Sequence, residues 1–410
     1  MFNRMMKKIT IVLLLLVAAI AGNADNKMKY KNPTGKEFPI LAWYSILPDS
    51  NLTRERYMEL RNAGFNISFS HFENADQLAK GLSASKGTGV RLMAGCPELE
   101  ERTAEIVEHF KNEKMLCGWF LRDEPTTVSF ADLRKFRDRV YKIDDKHLIY
   151  LNLLPIFVSP AELGTKTYEE YVQRSVDELG LSQLSYDLYP IVQEQGKVVV
   201  RPQLYSNLEV ARRVSMRSMQ PFWAFVLSTA HGSYPIPTAA HLRIEAFSAL
   251  AYGAQCIQHF TYWTPPTDTW NFHSAPIDEH GKRTPVYELV RNLNREIQSL
   301  AWVFLGAKAV AVGHTGNKHI EGTTEWENLS VPVRLCGSGE RGILVSYMVN
   351  GKSRFMMFVN HDIHHSQTIE IEISGKVRPV GSNGKLQRPC RQGRQSVTLA
   401  PGDYLLYHWK

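Results

Sequence analysis

The segment Gly118-Trp119-Phe120-Leu121-Arg122-Asp123-Glu124-Pro125 ends an apolar run on two adjacent carboxyls and then a proline. A second apolar run ends Tyr186-Asp187-Leu188-Tyr189-Pro190. In both places a proline one to three residues beyond the acid stops the strand and fixes the backbone there. Two carboxyls at neighbouring strand ends can divide acid–base work, one protonating a leaving oxygen while the other attacks or activates water. The expectation is Glu124 as general acid, Asp187 as nucleophile or general base, and Asp123 holding the charge balance beside Glu124 by like-charge repulsion. Competing with this, Asp123 and Glu124 would merely complement the dipole of a following helix, and Asp187 would cap a turn.

Other strand ends carry aromatic and polar side chains: Trp43, His71, Asn152, His259, Tyr262 and Trp263, with Trp270 in the loop Pro265–Asn271. Aromatic faces stack on the C–H faces of sugar rings, so these seven residues are candidates for carbohydrate binding. Core packing is the competing role for the tryptophans, least so for Trp270 in its polar loop. The histidines show no H-E-x-x-H and no metal-ligand spacing, so neither metal nor cofactor is expected. A G-x-S-x-G nucleophile elbow is also absent.

These residues need a scaffold that gathers strand ends. Eight apolar runs follow one another: Pro39–Ile46, Asn66–Phe72, Val90–Gly95, Cys117–Leu121, His147–Leu154, Gln183–Leu188, Pro221–Leu227 and Gln255–Trp263. Helical patterns separate them, among them Arg54–Ala63, Glu101–Phe110, Phe130–Lys142 and Thr238–Tyr252, with helix-start residues at Thr53, Ser129 and Thr238. Near-continuous apolar character suits parallel strands buried on both faces. Eight strand–helix units fit a (β/α)8 TIM barrel, whose usual length is ~250 residues and whose chemistry lies at the strand C-termini. A doubly wound sheet is the alternative, without its G-x-G-x-x-G turn. Beyond about Gly306 the pattern changes to short alternating runs split by Asn350-Gly351, Asn383-Gly384 and Pro401-Gly402, which reads as a small antiparallel β-sandwich. The expected organisation is a signal peptide at 1–21, a barrel at 22–305 and a β-sandwich domain at 306–410.

The 410 residues are 44% hydrophobic and 22% charged, which excludes disorder, collagen and coiled coil for the chain as a whole. Arg4, Lys7 and Lys8, the apolar stretch Ile9–Ala18 and Ala19-Ile20-Ala21 form the basic, apolar and small-residue parts of an export signal. The apolar part is too short to span a bilayer. The expectation is an exported protein, periplasmic or extracellular, with no membrane insertion. Without those three cations the net charge of +7 falls to about +4, and no basic run is interleaved with aromatics, so nucleic acid is a poor partner. Oligomeric state is not readable from the sequence. Cys96, Cys117, Cys256, Cys336 and Cys390 are read as free thiols, with a Cys336–Cys390 bridge as the alternative for the last two.

Trp119–Pro125 resembles the fourth-strand motif of clan A glycosidases, the group of β-galactosidases and cellulases, where Asn-Glu-Pro is usual. Asp123 stands in place of the Asn. The stretches "LRIEAFSALAYGAQCIQHFTYW" (Leu242–Trp263), "TPVYELVRNLNREI" (Thr284–Ile297) and "LAPGDYLLY" (Leu399–Tyr407) are similar to the seventh helix and eighth strand, the helix after it, and the last hairpin of β-galactosidase-like members. The resemblance is to secreted glycoside hydrolases of glycan-degrading bacteria. It implies an enzyme that cleaves O-glycosidic bonds, with Glu124 as acid/base. One feature departs from it: clan A places its nucleophilic Glu at the end of the seventh strand, and Phe222–Thr229 contains no acid. Asp187 would then supply the second carboxyl, as in barrel glycosidases that pair acids from strands four and six. Alternatively, the chain is a non-catalytic glycan-binding barrel that has lost its nucleophile. A lyase or isomerase using His and a metal finds little support.

Overall fold

The structure is a computed structural model that describes residues 28–266 and 270–410; the export signal read at 1–21 lies outside the described residues. Ten strands precede residue 300: β1 (Ile40–Trp43), β2 (Ile67–Phe69), β3 (Arg91–Ala94), β4 (Leu116–Asp123), β5 (Leu148–Asn152), β6 (Leu184–Tyr186), β7 (Ile191–Glu194), β8 (Lys197–Val200), β9 (Phe222–Leu227) and β10 (Cys256–Phe260). Seven of the eight apolar runs contain a barrel strand, and β4 overruns the Cys117–Leu121 run at both ends. The extra pair, β7 and β8, is an antiparallel hairpin in the connection after β6.

The barrel strands form one parallel sheet in the order β5-β4-β3-β2-β1-β10-β9-β6. A parallel bridge between Leu153 and Tyr186, with Leu153 N donating to Ser185 O at 2.8 Å, joins its two ends. Strand alternation then sorts the side chains. Leu41, Trp43, Ile67, Phe69, Met93, Cys117, Leu148, Tyr150, Trp223, Phe225 and Cys256 pack together inside the barrel. Their alternates, such as Ile40, Ala42, Ile149 and Ile257, join the larger core under the helices. Gly118 is required by this packing. A Cβ there would stand 2.7 Å from Met93 Sδ and 2.8 Å from the Leu148 carbonyl oxygen.

Helices follow the strands where periodicity places them, including Arg54–Asn62, Phe130–Ile143, Ala239–Ala251 and Pro285–Ser299. Thr53 and Thr238 accept from the backbone N–H groups of Arg56 and His241, as good N-caps do. Ser129 does not; its hydroxyl donates back to Thr126 O.

Eight strands make up the tail: β11 (Lys308–His314), β12 (Val333–Gly337), β13 (Leu344–Asn350), β14 (Ser353–Val359), β15 (Gln367–Ile373), β16 (Arg378–Pro379), β17 (Gly393–Leu399) and β18 (Tyr404–Trp409). They form antiparallel sheets in the orders β11-β13-β14-β18-β16 and β12-β15-β17, with Val333, Ile343, Phe358, Ile369, Ile371 and Tyr407 in the core they share. Helix Ala239–Ala251 docks on the larger sheet: the Phe247 and Tyr404 rings lie 4.2 Å apart, and Arg243 pairs with both Glu296 and Asp403 at 2.6 Å. All five cysteines are free thiols, so the Cys336–Cys390 bridge is not formed.

Candidate active site at the strand C-termini

β4 carries its two acids into the barrel mouth by breaking its own alternation. The β4–β5 pairing shifts register between Phe120 and Arg122, so Leu121 is an extra, bulged residue. Phe120 packs with the barrel interior and Leu121 with the outer core. After the bulge Arg122 also faces outward, where its guanidinium donates to both oxygens of Glu100 at 3.0 and 3.2 Å. Asp123 takes the inward place opposite Asn152. Glu124 follows with φ +47°, a left-handed conformation uncommon for a residue with a side chain. Its backbone N–H donates to Asn152 O at 2.9 Å, and Tyr171 Oη donates to the next carbonyl, Pro125 O, at 2.6 Å. The strained turn is therefore held from two sides.

Parity places the partners. On β5, Leu148, Tyr150 and Asn152 share the inward face. On β6, Ser185 is inward, and so is Asp187 just past the strand end. Asn152 Nδ2 donates to Asp123 Oδ1 at 3.2 Å and to Asp187 Oδ1 at 3.1 Å. The charge of Glu124 bears directly on the Asp187 carboxyl. Asp123, Glu124, Asp187 and Asn152 thus form one cluster on adjacent strands.

The electrostatics follow from crowding. Burial, and then the charges of Glu124 and Asp123, push the Asp187 carboxyl well above the usual carboxylate range. Asp123 is open to solvent at the mouth but walled closely by protein. Desolvation pushes it up to about 6, Glu124 adds to this, and the Asn152 hydrogen bond opposes it. His71 and His231 both lie below the ordinary histidine value because of burial.

Aromatic rings line the mouth on two sides of the acids. On one side the exposed His71 lies over Trp43, ring centroids 6.3 Å apart, beside Tyr44 and Phe120. On the other Tyr189 stacks on Phe260 at 5.4 Å, and His231 meets Phe272 at 4.6 Å and Trp270 at 6.2 Å. Trp270 is 57% exposed.

Three expected binding residues are elsewhere. His259 has alternation against it: Gln258 and Phe260 face the barrel, so His259 faces outward, fully buried, with its Nε2 2.9 Å from Asn294 Oδ1. Tyr262 is buried against Phe65. Trp263 is buried beneath Arg56, whose guanidinium lies 5.1 Å from the ring centre. None of the three reaches the cleft. Trp43 is almost entirely buried, packed against Phe69, Phe120 and Phe225 inside the barrel.

The sequence reading missed several residues here. Phe260, Tyr189 and His231 could have been found by counting alternation from Cys256 and by reading the loops after β6 and β9. Glu245 was also missed. It projects from helix Ala239–Ala251 to the end of β9, where its Oε2 accepts from Leu227 N at 2.9 Å and its Oε1 has no partner. The strand that lacks an acid in sequence therefore has one beside it in space. This carboxyl is buried within the wall, and burial raises it well above the usual range. Among the described residues no group of three or more His, Cys, Asp or Glu side chains could hold a metal ion.

Comparison with known proteins agrees with this architecture. The family model described as beta-galactosidase matches residues 166–300. No curated protein matches the chain by sequence. Among solved structures, Gan42B, a GH42 β-galactosidase from G. stearothermophilus, superposes with a TM-score of 0.60 at 7% identity, over 91% of this chain and 98% of that one. The β-galactosidase from Bacillus circulans sp. alkalophilus gives 0.59 at 10% identity over 92% and 99%. A glycoside hydrolase family 5 protein from Bacteroides vulgatus gives 0.57 at 10% identity over 90% and 88%. The chain has the TIM-barrel fold of these proteins, and its resemblance to glycoside hydrolases is carried by the family match and the fold together.

Proposed function

We propose that this protein hydrolyses O-glycosidic bonds of an oligo- or polysaccharide with the Glu124–Asp187 pair. The observation that carries the reading is the cluster of Asp123, Glu124 and Asp187 at the strand C-termini, with Asn152 bridging the two aspartates and aromatic rings suited to sugars close by. Inverting glycosidases keep their carboxyls ~6.5–9.5 Å apart to seat a water, whereas retaining pairs lie closer, at ~5–5.5 Å. The anomeric configuration of the product, followed by proton NMR, would distinguish the two arrangements. Burial and the charges of Glu124 and Asp123 favour the protonated form of Asp187. We therefore assign Asp187 as the proton donor and Glu124 as nucleophile or general base, the reverse of the roles implied by the clan A resemblance. Asp123 supplies a further negative charge beside the positive charge that develops on the sugar ring.

Leaving-group dependence tests the assignment. General-acid catalysis is worth ~10²–10⁴-fold. Asp187→Asn should lose that much on substrates with poor leaving groups and far less on activated aryl glycosides. Glu124→Gln should abolish turnover of both. The opposite pattern would restore the acid role to Glu124. Full activity in both variants would refute the Glu124–Asp187 pair, whereas glycan binding without turnover in the wild-type protein would leave the binding-only reading, which is favoured by β9 running into Ser228-Thr229 without an acid. We further infer export with cleavage after Ala21; N-terminal sequencing of the native protein should then begin near Gly22.

A further inference from the structure

Beneath the carboxyls lies a connected set of hydrogen bonds, in which Tyr150 Oη and Ser185 Oγ also lie 2.9 Å apart with either able to donate. Tyr150 Oη donates to Gln258 Oε1 at 2.7 Å, and Gln258 Nε2 donates to Ser185 Oγ at 2.9 Å. Ser185 Oγ donates to Asn152 Oδ1 at 2.9 Å, and Asn152 Nδ2 donates to Asp123 and Asp187. Tyr150, Ser185, Gln258 and Asn152 are all buried, with Tyr150 and Gln258 at 0% exposure, so neither of those two reaches the cleft. The four side chains come from β5, β6 and β10, and all lie on the inward face of the barrel.

We propose that Tyr150 and Gln258 are positioning residues that decide which end of the Asn152 amide faces the carboxyls. An asparagine amide has a donor end and an acceptor end of nearly equal size, so shape alone does not choose between them. With Oδ1 toward Asp123 and Asp187, acceptor would face acceptor. The observed orientation needs a donor on the far side, and that donor is Ser185 O–H. The hydroxyl has one proton. Its two lone pairs are engaged by Gln258 Nε2 and by Tyr150 Oη, whose proton lies between Gln258 Oε1 and Ser185 Oγ, and this leaves the serine proton for Asn152 Oδ1. Gln258 in turn presents nitrogen to Ser185 because its oxygen is taken by the Tyr150 hydroxyl. Each link fixes the polarity of the next, and the last link sets the posture of both aspartates. The inference rests on the proposed role of the carboxyls, but its test needs no turnover.

The decisive variant is Tyr150→Phe, which keeps the ring and adds no charge. With no donor on its Oε1, the Gln258 amide can turn that oxygen to Ser185, which then gives it the proton that Asn152 needs, and the Asn152 amide loses its lock. The readout is the Asp123 carboxyl, followed by carbon-13 NMR titration and assigned by the loss of its signal in Asp123→Asn. The groups facing it are Glu124, Asp187, Tyr150, Tyr171 and Tyr189; the tyrosines, raised by burial, stay neutral through the titration. Loss of the Asn152 donor should move the Asp123 midpoint upward from about 6 by at least half a pH unit. Ser185→Ala, also uncharged, removes the donor to Asn152 itself, so it should shift the midpoint in the same direction, and it serves as the test if Tyr150→Phe fails to fold. A midpoint that stays at the wild-type value in a folded Tyr150→Phe or Ser185→Ala protein would overturn the proposal, even if the melting temperature fell. A shifted midpoint in a protein that turns over no glycoside would keep this inference and refute the hydrolase reading.

Discussion

Glu245→Gln should change how stability depends on pH. Glu245 is 2% exposed, one carboxyl oxygen accepts the Leu227 N–H at 2.9 Å, and the other has no partner. Burial raises its carboxyl well above the ordinary value, against the Leu227 N–H, which lowers it. A carboxyl raised in the folded state holds its proton when the unfolded chain has released it. Its contribution is therefore fully present below the ordinary glutamate range and is lost as pH rises from there toward the folded value. The slope is ~1.4 kcal/mol per pH unit for one proton. Glutamine keeps the acceptor for Leu227 N–H and cannot ionise. It also leaves an unpartnered amide N–H group, at a pH-independent cost of about 1–3 kcal/mol. The variant should accordingly be the less stable protein near pH 4 and gain on wild type by ~1.4 kcal/mol per unit as pH rises above ~5. Asp187 produces a fall of the same sign in both proteins, so it cancels in the difference. Urea unfolding at pH 4, 5, 6 and 7 measures the difference directly. A constant offset across that range would show that Glu245 is already ionised in the folded protein, and the account of it as a neutral acid behind β9 would be refuted.

Trp263→Ala should cost about 3–5 kcal/mol of stability, because it empties a buried site under Arg56; a melting temperature unchanged by the substitution would contradict that placement. Trp270→Ala should leave the melting temperature nearly unchanged and weaken binding of oligosaccharides by isothermal titration, since the ring is 57% exposed beside His231. Gly118→Ala should destabilise by about 1–3 kcal/mol, because the added methyl meets a backbone carbonyl that cannot move aside; chemical denaturation would check it.

Strand positions and type were readable because a barrel strand is buried on both faces, which makes its apolar run nearly continuous and separates it clearly from the amphipathic helices. The switch to alternation after Gly306 announced the antiparallel sheets for the matching reason: one face of each strand is wet. The acids Asp123, Glu124 and Asp187 stood out as charges at the ends of such runs. What the sequence did not carry was direction and partnership. The Leu121 bulge reverses the faces of β4, turning Arg122 out and Asp123 in, and a bulge depends on the register of two strands rather than on the residues of one. His259 lost its expected role by one step of alternation, since Gln258 and Phe260 hold the inward places. Tyr262 and Trp263 look as much like rim platforms as Phe260 does, and only the path of the chain after β10 buries them. The carboxyl beside the acid-free end of β9 comes from a helix 18 residues beyond Leu227. The direction of the Asn152 amide is fixed by Ser185 and Gln258, 33 residues away and on a strand far beyond. Such links form only when closure of the barrel brings β5, β6 and β10 around one axis, so tertiary structure alone could decide them.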